Sequence, residues 1–561
     1  MGLVTGVGST GLSPSRRLPR VGDLLILGVT LGAIALATSL PYAFAYSSAP
    51  PDKQFMGILL NVPDTAQYLS WARESGNQVL IESKLTPEPG DTVFFNLYWL
   101  LVGRLAVALG LSPAEALQTV RPLAGGLYLA AIYWFVGLVV EDRLRRWVSF
   151  LAIALGGGLG WLLVTLKQLT GRLDFPLDVY VHEANAFLTV LAFPYQATAG
   201  GLLVLALGLS ALAFERGSFR VAMAAGFLVL VLGLVHGYDV LIVYAVVGAT
   251  TLVLASRGNA RRPVALGFAI CVWSVPATAY TAYIATASPI WRGVLAQYGN
   301  AGVYTPTPAH LLVLLGLPLF LVMAGRSGLA ERQPAHAREL LLRSWLVVGS
   351  LLLYIPTDFQ IKMLAGWQVP VGILAVRVLF TQVAPLLAKL RAVAVWRSEA
   401  VLGGLLVAAV LPTNLYLYAW RFVDLARHDY PYYLHRDEVA ALRWLDVNAQ
   451  PSDVVLSSLA IGQYIPSVSG KKAFLAHWAQ TLDFYGKRGM VAQLFDPATP
   501  EDARVRILAR HRVLYVFYGE QERALGGFDP EQAPYLTRVF SSPNALVYRV
   551  QDASRGAEVG Q

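Results

Sequence analysis

Long apolar runs recur along most of the chain, separated by short polar hinges. Runs of spanning length fall near 24–45, 119–140, 147–166, 197–214, 221–235, 240–255, 263–285, 310–324, 344–356, 368–386 and 399–420. A helix needs about 20 apolar residues to cross a bilayer, so the pattern predicts about eleven spans, several with short ends. Every second hinge carries arginines, at 141–146, 215–220, 256–262, 325–343 and 389–397. Basic hinges stay on the cytoplasmic side, which predicts an N-terminus inside and a C-terminus outside. Val93–Leu111 is also apolar enough to span, but a crossing there would invert every later hinge. It is expected instead as a juxtamembrane or re-entrant helix in a large outer loop, 46–118, its backbone covered by protein.

The pattern changes near Tyr430. Residues 437–447 place Val439, Leu442 and Leu445 on one helical face. Short β-branched and aromatic runs at 454–456, 473–475, 513–517 and 545–548 predict strands, with a helix over 502–510. The expected fold class is mainly α, a polytopic membrane helix bundle with a small C-terminal α/β domain outside the membrane. Its expected parts are a cytoplasmic segment 1–23, a transmembrane module 24–429, an extracytoplasmic domain 430–552 and a disordered tail 553–561. No glycine-rich phosphate loop sits between a strand and a helix, and no repeat of solenoid period is evident.

Composition agrees. The 561 residues are 56% hydrophobic and 14% charged, against about 25% charged in soluble chains. The net charge of +9 resides mainly in hinge arginines, which read as topology signals rather than a nucleic-acid surface. A single cysteine, Cys271, excludes an intrachain disulfide and gives no zinc spacing. Arg16, Arg17 and Arg20 precede the first apolar run, and Ala43-Phe-Ala45 has the small residues of a cleavage site. That run is longer than a secretory signal core, so an uncleaved first span is expected.

The hinges opposite the basic ones hold the candidate chemistry. They carry His182-Glu183, Phe193-Pro-Tyr-Gln196, His236-Gly-Tyr-Asp239, Trp291-Arg292 and Pro356 to Lys362. Polar groups gathered on one face suggest a site, although interfacial Tyr and Trp also form the ordinary aromatic belt. In Asn61-Val-Pro-Asp-Thr-Ala-Gln-Tyr68, Pro63 suits a first helical turn, and Asp64 and Tyr68 share a face. A carboxylate there either favours the helix N-terminus or serves as a general base. Glu82, Glu88 and Asp91 are further acids of the same loop. His182-Glu183 lacks the second histidine of a His-Glu-x-x-His zinc site and is expected to be structural. His477 follows a predicted strand in Leu475-Ala-His-Trp478.

The layout of many spans, an acid early in a large first outer loop and a soluble C-terminal domain resembles the GT-C superfamily of membrane glycosyltransferases. That superfamily includes protein mannosyltransferases and aminoarabinose transferases. Asp64-Thr-Ala-Gln-Tyr68 matches the family's Asp-x-x-x-Tyr spacing, while Thr65 departs from its Asp-Glu form. Thr86-Pro-Glu-Pro-Gly90 stands where relatives carry His-Pro-Pro. Arg121 is similar to an arginine opening the next span, and His236-Gly-Tyr238 resembles a His-Pro-Tyr patch. The resemblance implies inverting transfer from a polyprenyl-phosphate sugar to a hydroxyl of a lipid, glycan or protein at the outer face of the cell membrane, with Asp64 as the base. The leaving phosphate would need cationic stabilisation, for which Arg292, Lys362 and Arg377 are candidates, Arg377 because it lies within an apolar span. Tyr68, Glu88, Arg121, His236, Tyr238 and His477 complete the candidates for substrate binding. No cofactor is required by the sequence, though the resemblance leaves room for a divalent metal. A transporter or flippase, or a non-catalytic assembly protein, are the competing classes. A transporter would show paired broken helices meeting near the midplane, and the sequence displays none.

Overall fold

The computed structural model describes residues 21–171, 181–297, 304–325, 336–389 and 398–551. The N-terminal arginines, the expected tail and parts of the hinges 167–196, 288–310, 325–343 and 389–397 lie outside the described residues. Each of the eleven apolar runs is helical. Among the described residues, six helices are long and apolar enough to cross a bilayer: Val21–Ser48, Pro113–Val139, Pro194–Arg216, Asp239–Ser256, Arg261–Ala287 and Gln368–Lys389. A bent pair, Glu399–Val410 with Pro412–Leu425, makes a seventh candidate. Phe219–Val235 and Pro308–Ala324 have 17 residues and Ala337–Leu352 has 16, short for crossing unaided. The chain is a multi-pass membrane protein.

The helix ends sort into two faces. On one, Arg143 Nε meets Asp23 Oδ1 at 2.6 Å and Arg145 Nη2 meets Glu399 Oε1 at 2.8 Å. There also Arg262 donates to the Gly217 carbonyl, Arg338 to the Leu138 carbonyl, and His336 Nδ1 lies 2.8 Å from Glu215 Oε1. The described parts of the arginine-rich hinges, scattered along the sequence, therefore gather on one surface. The hinges rich in aromatic and polar residues form the opposite one.

Three helices break in mutual contact, contrary to the sequence expectation that none would. The 147–166 run is interrupted between Arg143–Ala154 and Gly160–Thr170 by Gly156-Gly-Gly158. Pro308–Ala324 kinks at Gly316, and the C-terminal pair bends by 43° before Pro412. The freed backbone groups satisfy one another: Leu159 N donates to Val313 O (2.7 Å), Gly157 N to Val410 O (2.8 Å) and Thr413 Oγ1 to Gly158 O (2.7 Å). Asn414 Nδ2 donates to Leu155 O (2.8 Å) and its Oδ1 accepts from Asn185 (2.7 Å). Non-helical backbone at such depth is tolerated only with this kind of internal pairing. A Cβ on Gly158 would stand 2.1 Å from Val313 O, so the close approach requires glycine.

Within the loop 46–118, Leu97–Leu109 is a helix of 13 residues. At 1.5 Å per residue it is about 20 Å long, too short for a bilayer of about 30 Å. Asn96 caps it by accepting from Tyr98 N and Trp99 N, and a Ser112–Glu115 capping box starts the next helix. It packs on the helix Val62–Ser75, with Gly103 against the Ala72 carbonyl.

The loop 46–118 is stitched to the C-terminal part by two short antiparallel strands, β1 (Lys53–Phe55) and β2 (Tyr433–His435). The remaining strands are β3 (Val454–Leu456), β4 (Lys472–Ala473), β5 (Val513–Tyr518), β6 (Leu536–Ser541) and β7 (Leu546–Val550). They form one sheet in the order β4-β3-β5-β7-β6, with β3 parallel to β4 and β5 and the other pairs antiparallel. The helices Arg436–Asn448 and Glu501–Arg510 match the expected ones within two residues at each end.

Candidate active site

The helix Val62–Ser75 begins at Asn61, whose backbone is left-handed (φ 47°), a conformation asparagine tolerates. Pro63 lies in its first turn. Asn61 does not cap the helix with its side chain; its amide donates instead to Asp64 Oδ2 at 2.6 Å. The other oxygen, Oδ1, lies 2.8 Å from His477 Nε2, reached from the C-terminal sheet region. Nδ1 of His477 accepts from the backbone N–H of Ala479 (3.0 Å) and of Gln480 (3.2 Å). With Nδ1 occupied as an acceptor, the ring proton sits on Nε2 and is donated to Asp64. Burial opposes ionisation of Asp64. The hydrogen bond from His477 outweighs it, aided by Lys362 and Asn61, and holds the carboxyl down at about 2.

Asp64 opens onto a cavity of about 340 Å³ on the aromatic face. Along this helix Asp64, Tyr68 and Trp71 all line it, so it follows the helix for about 10 Å. Tyr68 stacks on Trp99, with ring centroids 5.0 Å apart, and tilts against Tyr195 at 5.3 Å. Burial, and then the charge of Asp64, keep Tyr68 a neutral phenol. Farther along, Trp71, Phe94 and Trp291 make an aromatic wall, Phe94 and Trp291 stacked at 4.5 Å.

The cavity's cation is Lys362, whose Nζ lies 2.7 Å from Glu183 Oε1. Burial disfavours the charges on both, yet each keeps the other ionised: against desolvation, the pairing with Lys362 holds Glu183 at about 2, and Lys362 is raised. Burial pushes His182 down to about 4, so its imidazole is neutral at pH 7. It stacks on Phe193 at 4.1 Å, and its Nε2 has no hydrogen-bond partner among the described residues. His236 and Tyr238 also line the cavity, and His236 Nδ1 sits 2.9 Å from Asp239 Oδ1 without hydrogen-bond geometry.

Asp64, Tyr68, His236, Tyr238, Lys362 and His477 are thus brought together. Four other candidates are not. Arg377 is bound by Glu339 of a neighbouring helix, at 2.5 Å and 2.8 Å, which answers the cost of its charge in an apolar span. Arg121 is buried among Thr38, Ser39 and Gln118 with its guanidinium over Tyr42, and ties two spans together. Arg292 is exposed on the helix Pro289–Ala296, which turns Trp291 inward instead. Glu88 pairs with Lys487 Nζ (2.5 Å) and Thr86, outside the cavity. Glu183 and His182, expected to be structural, line the site; Glu183 and Lys362 are 179 positions apart, and no local spacing could have joined them. Among the described residues no three His, Cys, Asp or Glu side chains are placed to hold a metal ion.

No protein-family model and no curated protein matches the sequence. Similar solved structures nevertheless span nearly all of it. The apo oligosaccharyltransferase of Archaeoglobus fulgidus is 13% identical, covers 95% of this chain and 76% of its own, with a TM-score of 0.56. ArnT from Cupriavidus metallidurans, bound to undecaprenyl phosphate, is 12% identical, covers 95% of this chain and 99% of its own, with a TM-score of 0.52. The arabinofuranosyltransferase AftD from Mycobacteria is 15% identical, covers 95% of this chain and 40% of its own, with a TM-score of 0.53. All three have the GT-C fold of membrane glycosyltransferases. This chain has that fold.

Proposed function

We propose that the protein is an inverting glycosyltransferase that takes a sugar from a polyprenyl-phosphate donor and passes it to an acceptor hydroxyl at the outer face of the membrane. The observation that carries this reading is an ionised carboxylate, Asp64, opening onto the same cavity as a half-buried ammonium, Lys362. Neighbours of the same fold bind such carriers, ArnT undecaprenyl phosphate and the Archaeoglobus AglB dolichol-phosphate.

Asp64 engages one acceptor site on each oxygen and keeps others free toward the cavity. The acceptor oxygen attacks the anomeric carbon as the bond to the phosphate oxygen breaks, its electron pair leaving with the lipid phosphate. A carboxylate held at about 2 is a weak base, so the proton passes late. An alcohol oxygen already bonded to the anomeric carbon is a far stronger acid than a carboxylic acid, and Asp64 then takes its proton downhill. Lys362 can exchange part of its contact with Glu183 for the phosphate, whose growing charge it stabilises in a site shielded from water. His182 and His236 line the same cavity, each with a ring nitrogen facing a carboxylate, Glu183 and Asp239.

Membranes containing the protein are to be incubated with radiolabelled polyprenyl-phosphate sugars, scanning sugars and membrane-extract acceptors. Asp64→Asn is expected to abolish label transfer while leaving expression and melting temperature intact. Full transfer by that variant would remove Asp64 from the role of base. The transporter reading draws only on the three broken helices. Their freed backbone groups are paired with one another or with Thr413 and Asn414, and offer no open polar pathway.

A further inference from the structure

The sequence placed His477 among substrate-binding residues, but its ring has no freedom for that role. Nε2–H is spent on Asp64, and Nδ1 is filled by two backbone N–H groups. The side chain is buried, with 3% of its surface exposed. The loop that carries it is clamped from three sides. Thr481 Oγ1 accepts from Ala476 N and His477 N and donates to Leu85 O at 2.6 Å. Thr86 Oγ1 accepts from Leu482 N (3.1 Å), and Gln297 Nε2 donates to the carbonyls of Ala479 and Thr481. Lys487, bound to Glu88, donates to Leu482 O (2.5 Å). Glu88 is therefore part of this clamp.

We propose that His477 is a positioning residue: tethered at Nδ1, it presents Nε2–H to Asp64, fixes the direction of the carboxylate, and makes Asp64 the final holder of the acceptor's proton. This rests on the glycosyltransferase reading. The geometry separates two schemes that an Asp–His pair allows. In a relay, the imidazole would take the proton onward through a free nitrogen. Here neither nitrogen is free, and an added proton on Nδ1 would break both backbone bonds. The proton acquired by Asp64 leaves by the cavity, where the side chain keeps 26% of its surface exposed. The C-terminal part thus reaches the carboxylate through His477, beside Trp478, Ala479 and Gln480 of the cavity lining.

The test needs no known substrate. Dicyclohexylcarbodiimide modifies protonated carboxyl groups, and mass spectrometry of the Asp64 peptide follows labelling of the purified full-length protein between pH 4 and 8. Wild type is expected to stay unlabelled. His477→Ala removes the bond that counters burial, so labelling of Asp64 is expected to appear at the acid end of this range, where wild type shows none. His477→Gln, which keeps an N–H donor, should restore much of the wild-type profile, and covers the case in which the alanine variant does not fold. Identical profiles for wild type and a folded alanine variant would overturn the proposal. With a donor sugar in hand, kcat of His477→Ala should fall at least tenfold while the donor KM stays within twofold. A raised KM with unchanged kcat would put His477 on the substrate and also overturn it. Shifted labelling together with failure of every donor would leave the His477–Asp64 linkage standing and remove the glycosyltransferase reading.

Discussion

Glu183 and Lys362 show what a buried pair costs when it is half removed. Glu183 keeps 7% of its side-chain surface and Lys362 27%. Lys362→Met leaves an unpaired carboxylate in the cavity wall, expected to destabilise the protein by about 3 kcal/mol, the low end for a broken buried pair because the lysine is partly solvated. The double variant Glu183→Gln/Lys362→Met should recover most of the loss of melting temperature, since neither charge is then stranded. The pH dependence follows from the directions of the shifts. The carboxyls of Asp64 and Glu183 are lowered, so the stability they add is present above the usual carboxylate value and is lost as pH falls toward about 2. Lys362 is raised, so its share is present at neutral pH and is lost only as pH rises through that elevated value. Melting temperatures scanned downward from pH 7 should begin to fall below about pH 4.5, where unfolded carboxyls protonate, and less steeply in Glu183→Gln. Asp64 was legible in the sequence because its signals are local: a proline in the first turn and a tyrosine one turn on. His477 is a candidate by its place after a predicted strand, but it lies 413 positions away and nothing along the chain announces its pairing with Asp64. Arg377 stands out as a charge in an apolar run and Arg121 by the resemblance, and only the folded chain shows both outside the cavity with partners on neighbouring helices.

The helix Val62–Ser75 transmits packing to the site. Its N-terminal turn presents Asp64, and its last turn is held by Leu97–Leu109 through Gly103, where a Cβ would stand 2.1 Å from Ala72 O and 2.7 Å from Gly76 N. Backbone atoms cannot yield as a side-chain tip can, so Gly103→Ala must push the two helices apart. An overpacking cost of about 1–3 kcal/mol is expected, read as a lower melting temperature. Transfer should fall as well, although the substitution lies two turns from Asp64. Unchanged melting would show that the helices separate freely. Periodicity identified this short helix and all eleven apolar runs, because helix-forming patterns are written in neighbouring residues. It did not identify the breaks. Gly156-Gly-Gly158 interrupts an otherwise apolar stretch, and only the facing carbonyls of Val313 and Val410 explain why the helix stops there. β6 was missed because it is an edge strand with mostly exposed or half-exposed side chains and little apolar alternation.

Sidedness ties these parts together. The contacts of Arg143 with Asp23, Arg145 with Glu399 and Arg262 with Gly217 gather basic hinges from distant parts of the chain on one surface. The aromatic hinges and the sheet domain gather on the other, around Asp64. This division follows from the fold. Which side is cytoplasmic rests on the excess of Lys and Arg in the short hinges, a bias set during insertion. In a background with Cys271 replaced by serine, single cysteines at Leu144 and Gly258 probe the basic surface, and one at Val447, 84% exposed on the sheet domain, probes the other. In intact cells an impermeant maleimide is expected to label Val447→Cys and spare Leu144→Cys and Gly258→Cys, all three becoming reactive after permeabilisation. The reverse pattern would place the Asp64 cavity in the cytosol. A lipid-linked sugar presented at the outer leaflet could not then reach it, so this one labelling experiment bears on the donor as directly as an activity assay does.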